Sequence, residues 1–440
     1  MTDYKDYIDW FRASTTYINA HRGKTFVVLL SGEAVEDPNF SNLICDMTLL
    51  HSLGVKLVLV HGARPQITAA LNAKSLPSEY HNQIRITQAD AINEISAAVG
   101  AVSTKIEALF SVGLNSSPMA GSNIRVCRGN FVTAKPYGIH EGVDYHFTGK
   151  VRKIHSTEID QQLANDNIVM LSNLGYSLTG EVFNLTAEEI ATHVAISLNA
   201  DKLILLTPAD GIHSAQGKLI PSLSEKDALD QLDRFSQDPS ADTVAMKKAL
   251  QAALHAYQSG VHRSHLISYK ANGAMLQELF TRDGKGSLIS DDNFDQLRQA
   301  TINDVAGILA LITPLEQNGT LVTRSRELLE NEIKNFQVVE LEGSIIACAA
   351  FYPMDQDSGE LACIAIDEHY RNRGYGDRLL NKLQANAAQS GFKQVFVLTT
   401  VTDHWFIEKG FRLDTIDALP QGKKLLYNYQ RNSKVLSKSI

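Results

Sequence analysis

Apolar and polar positions follow two different rhythms along this chain. Over the first two thirds, short Val/Ile/Leu-rich runs at 26–30, 55–60, 168–171 and 202–206 alternate with stretches of helical periodicity at 40–52 and 187–198. Apolar runs too short for helices read as strands buried on both faces, and their alternation with helices predicts a parallel sheet covered on both sides. Glycines follow two of the runs, at Gly32 and Gly62, the end of an open α/β sheet where ligands usually bind. Ahead of the first run, Tyr7, Ile8, Phe11, Tyr17 and Ile18 recur at helical spacing. Residues 1–20 are therefore expected as an amphipathic helix, packed either on its own domain or on another subunit.

Near residue 290 the rhythm changes. Gly284, Gly286, Asp291 and Asp292 mark the end of the first domain. A new set of elements begins at 302–312, and strands are expected at 336–341, 344–352 and 360–366. A Pro-, Asp- and Gly-containing turn at 353–359 joins the last two as a hairpin. A helix at 376–390, a strand at 394–399, a short helix at 405–409 and a final strand at 425–429 complete the pattern. The expected organisation is an N-terminal helix (1–20), an α/β domain with an open, mainly parallel sheet sandwiched by helices (21–287), a linker (288–299) and an α+β domain (300–440).

Charge and cysteine usage narrow the chemistry. A formal net charge of −8 argues against a general nucleic-acid binder but leaves room for a local arginine cluster around a small anion. Cys45, Cys127, Cys348 and Cys363 stand apart with no CxxC pair, so neither a zinc site nor a disulfide framework is expected. No metal is called for. The first residues are polar and acidic, and the apolar runs are far too short to span a bilayer. A cytoplasmic protein without a membrane partner is expected.

The most specific chemical signal is the turn Arg371-Asn372-Arg373-Gly374-Tyr375-Gly376, set between an apolar strand and an amphipathic helix. Glycines let backbone approach a ligand, the helix start offers unpaired N–H groups, and arginines add charge, which together make a pyrophosphate cradle. Residues 360–390 resemble the coenzyme-A-binding motif of the GNAT acetyltransferases, and 405–411 resemble the helix and strand that follow it. The resemblance implies acetyl-CoA as co-substrate. In that family the backbone matching Cys363, Ile364, Ala365 and Ile366 hydrogen-bonds the pantetheine arm, and the amides matching Arg371 to Gly376, with Arg373, Gly374 and Tyr375 among them, hold the pyrophosphate. Amine acetylation needs a positioned base and an oxyanion donor. Glu360, three residues before Cys363, is the candidate base; its other reading is a solvated hairpin residue. Cys363 reads as a small apolar strand residue, because direct transfer requires no acyl-enzyme.

The first domain resembles the amino-acid kinase fold through 26–35, the run His61-Gly62-Ala63-Arg64-Pro65-Gln66-Ile67, Arg85-Ile86-Thr87, 184–188, 200–207 and 273–286. Two lysines that such kinases use to neutralise a moving phosphoryl group fall here on Leu29 and Ala249, although Lys247 and Lys248 adjoin the second. The glycine turn has become Ser31-Gly32-Glu33, with a carboxylate where phosphates would lie. A working kinase is not expected.

A kinase-like domain without its lysines, joined to a GNAT domain, resembles the bacterial N-acetylglutamate synthases over nearly the whole chain. That resemblance implies acetyl transfer to the α-amine of L-glutamate, with Arg324, Arg431 and Ser433 on the glutamate carboxylates. It also implies a homo-oligomer, a hexamer in that family, and inhibition by L-arginine at His265, Glu278, Gly284 and Gly286, capped by Tyr17. The plainer reading of His265 and Glu278 is a core-strand end and a helix surface. One departure is Val401, where relatives commonly carry arginine. The competing functions are an arginine- or acetylglutamate-binding regulatory protein with an impaired transferase domain, a bifunctional kinase and synthase, and a GNAT enzyme acting on another amine such as a protein lysine.

Overall fold

Along the strand Thr25–Leu30, Val27 and Leu29 enter one hydrophobic core while Phe26, Val28 and Leu30 enter another. Alternating side chains that are all buried need cover on both faces, and this is what the sheet receives. Eight strands lie in the order Ser222–Leu223, Ser287–Ile289, Ser264–Ser268, Lys202–Thr207, Thr25–Leu30, Lys56–His61, Ile168–Ser172, Val126–Cys127. Every neighbouring pair is parallel except Ser264–Ser268 with Ser287–Ile289. Helices Phe40–Ser52, Ile92–Phe110 and Ala274–Phe280 share the core of one face; Ser156–Ala164, Ala187–Ser197 and Ala241–Gln258 share that of the other.

The computed structural model describes residues 4–112, 119–236, 238, 240–281, 284–290, 295–341, 344–371 and 374–440. Two compact units divide the chain, 1–292 and 293–440. The stretch expected as a linker, 288–299, is partly sheet: Ser287–Ile289 pairs in the first unit, and Asp295–Gln299 pairs with Phe336–Leu341 in the second. Two short strand pairings therefore take up both ends of that stretch. In the first unit the helix Tyr4–His21 has Tyr17 and Ile18 against the core, and His21 Nε2 lies 2.7 Å from the Leu279 carbonyl oxygen. Ile8 and Phe11 are exposed on the same helix.

The second unit is a seven-stranded sheet in the order Asp295–Gln299, Phe336–Leu341, Ser344–Pro353, Ser358–Ile366, Gln394–Thr399, Lys434–Ser439, Arg412–Asp414. Its one parallel pair is Ser358–Ile366 with Gln394–Thr399. Helix Val305–Gln317 covers one face and Tyr375–Gln389 the other. Asp355 Oδ1 accepts from the amides of Asp357 and Ser358 and fixes the expected hairpin turn.

The expected final strand at 425–429 is not formed. Pro420 leads into the helix Gln421–Leu425, and the strand that pairs with Gln394–Thr399 is Lys434–Ser439. Leu425 and Leu426, which gave the segment its strand-like look, are 83% and 76% exposed. Proline fixes φ and favours the start of a helix, which overrides the local apolar pattern.

Candidate active site

The central strands of the second sheet part in a definite place. Ser358, Gly359 and Glu360 pair with Gln394, Val395 and Phe396, and the parallel register ends there. From Leu361 onward the strand keeps only its antiparallel neighbour Ser344–Pro353. A β-bulge accompanies the parting: Ala350 faces Ala362 and Cys348 faces Ala365, so Cys363 and Ile364 stand opposite Ala349 alone. Cys363 takes φ +52°, unusual for a residue with a Cβ, and its carbonyl is 3.7 Å from Cys348 Sγ. Burial lifts the Cys363 thiol to about 11, partly offset by Arg324, so it is no nucleophile near neutral pH. Ile364, Ala365 and Ile366 continue the parted strand toward the glycine turn.

Gly374 begins the helix Tyr375–Gln389 in the left-handed region, φ +81°, with open space where a Cβ would stand. At Gly376 a Cβ would meet Ile366 Cδ1 and Trp405 Cζ2 at 3.1 Å, so the helix rests tightly on the parted strand. Tyr375 packs edge-on to Tyr370, and Arg378 lies over the Tyr375 ring. Arg371 is exposed, 3.6 Å from Glu368. Arg373 lies outside the described residues. The gap between the parted strands forms a groove that runs toward the positive end of a fifteen-residue helix, suited to an extended amide chain with a pyrophosphate at its end.

At the other end of the groove, Glu360 is 7% exposed and lies beside Tyr352 in register. Its Oε2 accepts from Lys423 Nζ at 2.5 Å. Arg324 is held by Glu316 on its amide (2.9 Å) and by the Val322 carbonyl, and its guanidinium reaches Tyr352 and Cys363. Arg431 donates to the Thr320 carbonyl, four residues before Arg324, and its buried Nε has no partner among the described residues. Tyr427 donates to the Ser433 carbonyl at 2.7 Å. Arg431 is thereby tied to the segment that carries Arg324, and Ser433 to the segment that runs on from Lys423, the partner of Glu360. Lys423 is not legible from the sequence, because a lysine ahead of the expected strand 425–429 looks like a solvated residue; its partner is 63 positions away.

The first unit holds two further sites. His265 Nδ1 lies 2.7 Å from Glu278 Oε1, while Glu278 Oε2 accepts from the amides of Lys285 (2.6 Å) and Gly286 (2.8 Å). Burial raises the Glu278 carboxyl, but the His265 contact and the two amides outweigh it and hold it down at about 2. Gly284, φ +63°, leaves no room for a Cβ, which would sit 2.6 Å from Glu278 Oε2. His265, Glu278, Gly284 and Gly286 therefore form one cluster, and Tyr17 packs into the core that holds the Glu278 helix. Both partners are buried, so Glu278 is not a helix-surface residue.

A separate cleft of 210 Å³ opens at the carboxyl ends of the parallel strands, lined by Leu29, Gly32, Arg64, Asn173, Lys248 and Ala249. Leu29 and Ala249 put aliphatic side chains there, as the sequence implies. Lys248 also lines it, donating to the Gln83 carbonyl at 3.0 Å, with its ammonium disfavoured by burial.

Comparison with known proteins is consistent across both units. Residues 24–268 match the amino acid kinase family and 308–406 the acetyltransferase (GNAT) family. An amino-acid acetyltransferase of Ectopseudomonas mendocina is 50% identical over 436 residues, covering 99% of this chain and 100% of that protein. The crystal structure of N-acetylglutamate synthase from Neisseria gonorrhoeae complexed with coenzyme A and L-arginine superposes with a TM-score of 0.84 at 34% identity, covering 98% of this chain and 99% of that one. The same enzyme complexed with coenzyme A and N-acetyl-glutamate gives 0.61 at 35% identity, with the same coverage.

Proposed function

The chain belongs to the amino-acid acetyltransferase family, and from that premise we propose that it transfers the acetyl group of acetyl-CoA to the α-amine of L-glutamate, giving N-acetyl-L-glutamate and CoA. The observation that carries this reading is the end of strand pairing at Glu360. The open backbone of Cys363, Ile364, Ala365 and Ile366 takes the pantetheine arm, and the turn from Arg371 through Arg373, Gly374 and Tyr375 to Gly376 takes the pyrophosphate. The thioester then lies at the parting of the strands, beside the one buried carboxylate there.

Arg324 and Arg431, with Ser433, hold the glutamate carboxylates; the unpartnered Arg431 Nε offers a donor ready for one. Glu360 takes a proton from the substrate ammonium. The freed nitrogen lone pair forms the C–N bond at the thioester carbonyl, the C–S bond breaks, and the departing thiolate takes the second proton that the nitrogen must lose, while Glu360 returns its proton to water. Positioning supplies much of the rate, because the acetyl group is already activated.

The cluster of His265, Glu278, Gly284 and Gly286, with Tyr17, is the proposed L-arginine site. A buried carboxylate suits a guanidinium, and a glycine loop suits the ligand's main-chain groups. The neighbour bound to L-arginine supports this reading. A homo-oligomer, specifically a hexamer, is proposed as well, with exposed Ile8 and Phe11 on helix Tyr4–His21 as candidate contacts. The proposed compartment is the cytoplasm, whose reducing conditions suit four unpaired cysteines.

A CoA-release assay with glutamate, repeated over an arginine titration, tests both parts. Glutamate-dependent release that falls with arginine is expected. Absence of glutamate-dependent release sinks the main reading, and indifference to arginine sinks only the regulatory one.

A further inference from the structure

Glu360 stands inside a seven-stranded sheet, between Tyr352 on one neighbour and Phe396 on the other. A carboxyl left alone in such a place is pushed toward its neutral form, and a neutral acid cannot take a proton from an amine. The structure supplies a countercharge. Lys423 Nζ lies 2.5 Å from Glu360 Oε2, and the two side chains are only 19% and 10% exposed. Among the described residues Oε1 has no hydrogen-bond partner, so one oxygen is engaged and one is left for the incoming amine.

We propose that Lys423 is a positioning residue for acetyl transfer, whose ammonium pairs with the Glu360 carboxylate and orients it toward the acceptor amine. The proposal rests on Glu360 being the base.

Lys423 is well placed to couple this role to substrate binding. It stands on the helix Gln421–Leu425, and the same segment runs on through Tyr427, bonded to the Ser433 carbonyl, to Arg431, bonded to the Thr320 carbonyl. The chain that would grip the acceptor's carboxylates therefore also charges the base. The other polar groups nearby do not substitute for it. Tyr352 shares a strand face with Glu360 and donates to Glu332, and burial pushes its hydroxyl up. Cys363 feels Glu360, but its thiol is lifted to about 11, chiefly by burial. Arg324 bears on Tyr352 and Cys363, and Glu316 holds its amide. Lys424, the next residue, pairs instead with Asp417 at 3.6 Å. On the neighbouring strands, Lys434 pairs with Asp403.

The test compares pH profiles of kcat/KM for glutamate in the full-length wild type, K423M, K423R and E360Q. Without the cation the base protonates more readily, so its acid limb moves to higher pH. In K423M the limb is expected to rise by about one pH unit or more, with turnover at pH 7 reduced about tenfold and the KM for acetyl-CoA unchanged. K423R keeps the charge and is expected to leave the limb at its wild-type position. A K423M enzyme whose rate falls while the limb stays put has lost only packing, and the proposal is wrong. If K423M does not melt cooperatively, K423Q takes its place with the same two outcomes. E360Q separates the proposal from its premise: full activity in E360Q removes the base reading itself. Loss of about 100-fold in E360Q, with an unmoved limb in K423M, removes only the role of Lys423.

Discussion

Two of the glycine turns that follow apolar strands in this molecule have opposite fates. Gly374 has open space around its missing side chain, begins a helix of fifteen residues and is flanked by Arg371 and Arg378. Gly32 begins a helix of five residues, and a Cβ there would meet Gln66 Oε1, Pro65 Cδ and Arg64 N at 2.6 to 2.9 Å. Gln66 also donates to the Gly32 carbonyl at 2.8 Å, and Glu33 follows directly. The first turn keeps open space at Gly374, where an anion can approach the helix start. The second has spent its space on neighbouring chain and placed a carboxylate beside it. A strand, a glycine and a helix are therefore not enough for phosphate binding; the turn must also be left open and positively biased.

The largest expected effect follows from overfilling the tight contact beside the open turn. Gly376→Leu drives side-chain atoms into Ile366 and Trp405, which already stand 3.1 Å from the Cβ position. Displacing the helix start from the parted strand misplaces the thioester. Because misplacement of about 1 Å can cost about 100-fold, kcat/KM for acetyl-CoA is expected to fall by that order. Steady-state kinetics with a melting curve as control decides it. Wild-type kinetics in a stable G376L protein would mean that the turn does not hold the cofactor.

A smaller effect is expected at the other glutamate. Glu278 accepts from two amides and is paired with His265, whereas Glu360 has Lys423 alone among the described residues. Glu278→Gln is expected to abolish the arginine response in the CoA-release assay while leaving uninhibited turnover within about twofold. It should also change acid stability. The folded carboxyl is held at about 2 against an ordinary 4.5, so its contribution is present above the ordinary value and is lost as pH falls toward 2. Over that range the wild-type melting temperature should fall more steeply than that of E278Q. Parallel slopes would show that the cluster contributes no linked stability.

What the sequence makes legible here is whatever depends on near neighbours. The buried strand Thr25–Leu30, the hairpin turn at Asp355 and the glycine turn at Gly374 follow from local pattern and turn chemistry. Glu360 stands out as a candidate through its spacing from Cys363. The bulge at Cys363 is not legible in the same way, because it depends on register against Ser344–Pro353. Lys423 is hidden for the same kind of reason: its meaning lies in a partner 63 residues away. The misplaced last strand shows the converse error, in which exposed Leu425 and Leu426 imitate a buried run.

The smallest expected effect is the sharpest test of the closed turn. Leu29→Lys returns a cation to the cleft, which already has Lys248 on its wall. If missing charge were the whole defect, ATP-dependent phosphorylation of N-acetylglutamate should appear. The packing around Gly32 says otherwise, since Arg64, Pro65 and Gln66 occupy the approach that a phosphate would need, and Glu33 repels it. Leu29 is also only 4% exposed, so a lysine there must be desolvated and should lower the melting temperature. L29K is therefore expected to lose stability without gaining phosphoryl transfer, as measured by ADP release with N-acetylglutamate present. Measurable transfer would show that the turn is closed less by its packing than by the loss of one charge, and the contrast between the two glycines would reduce to electrostatics.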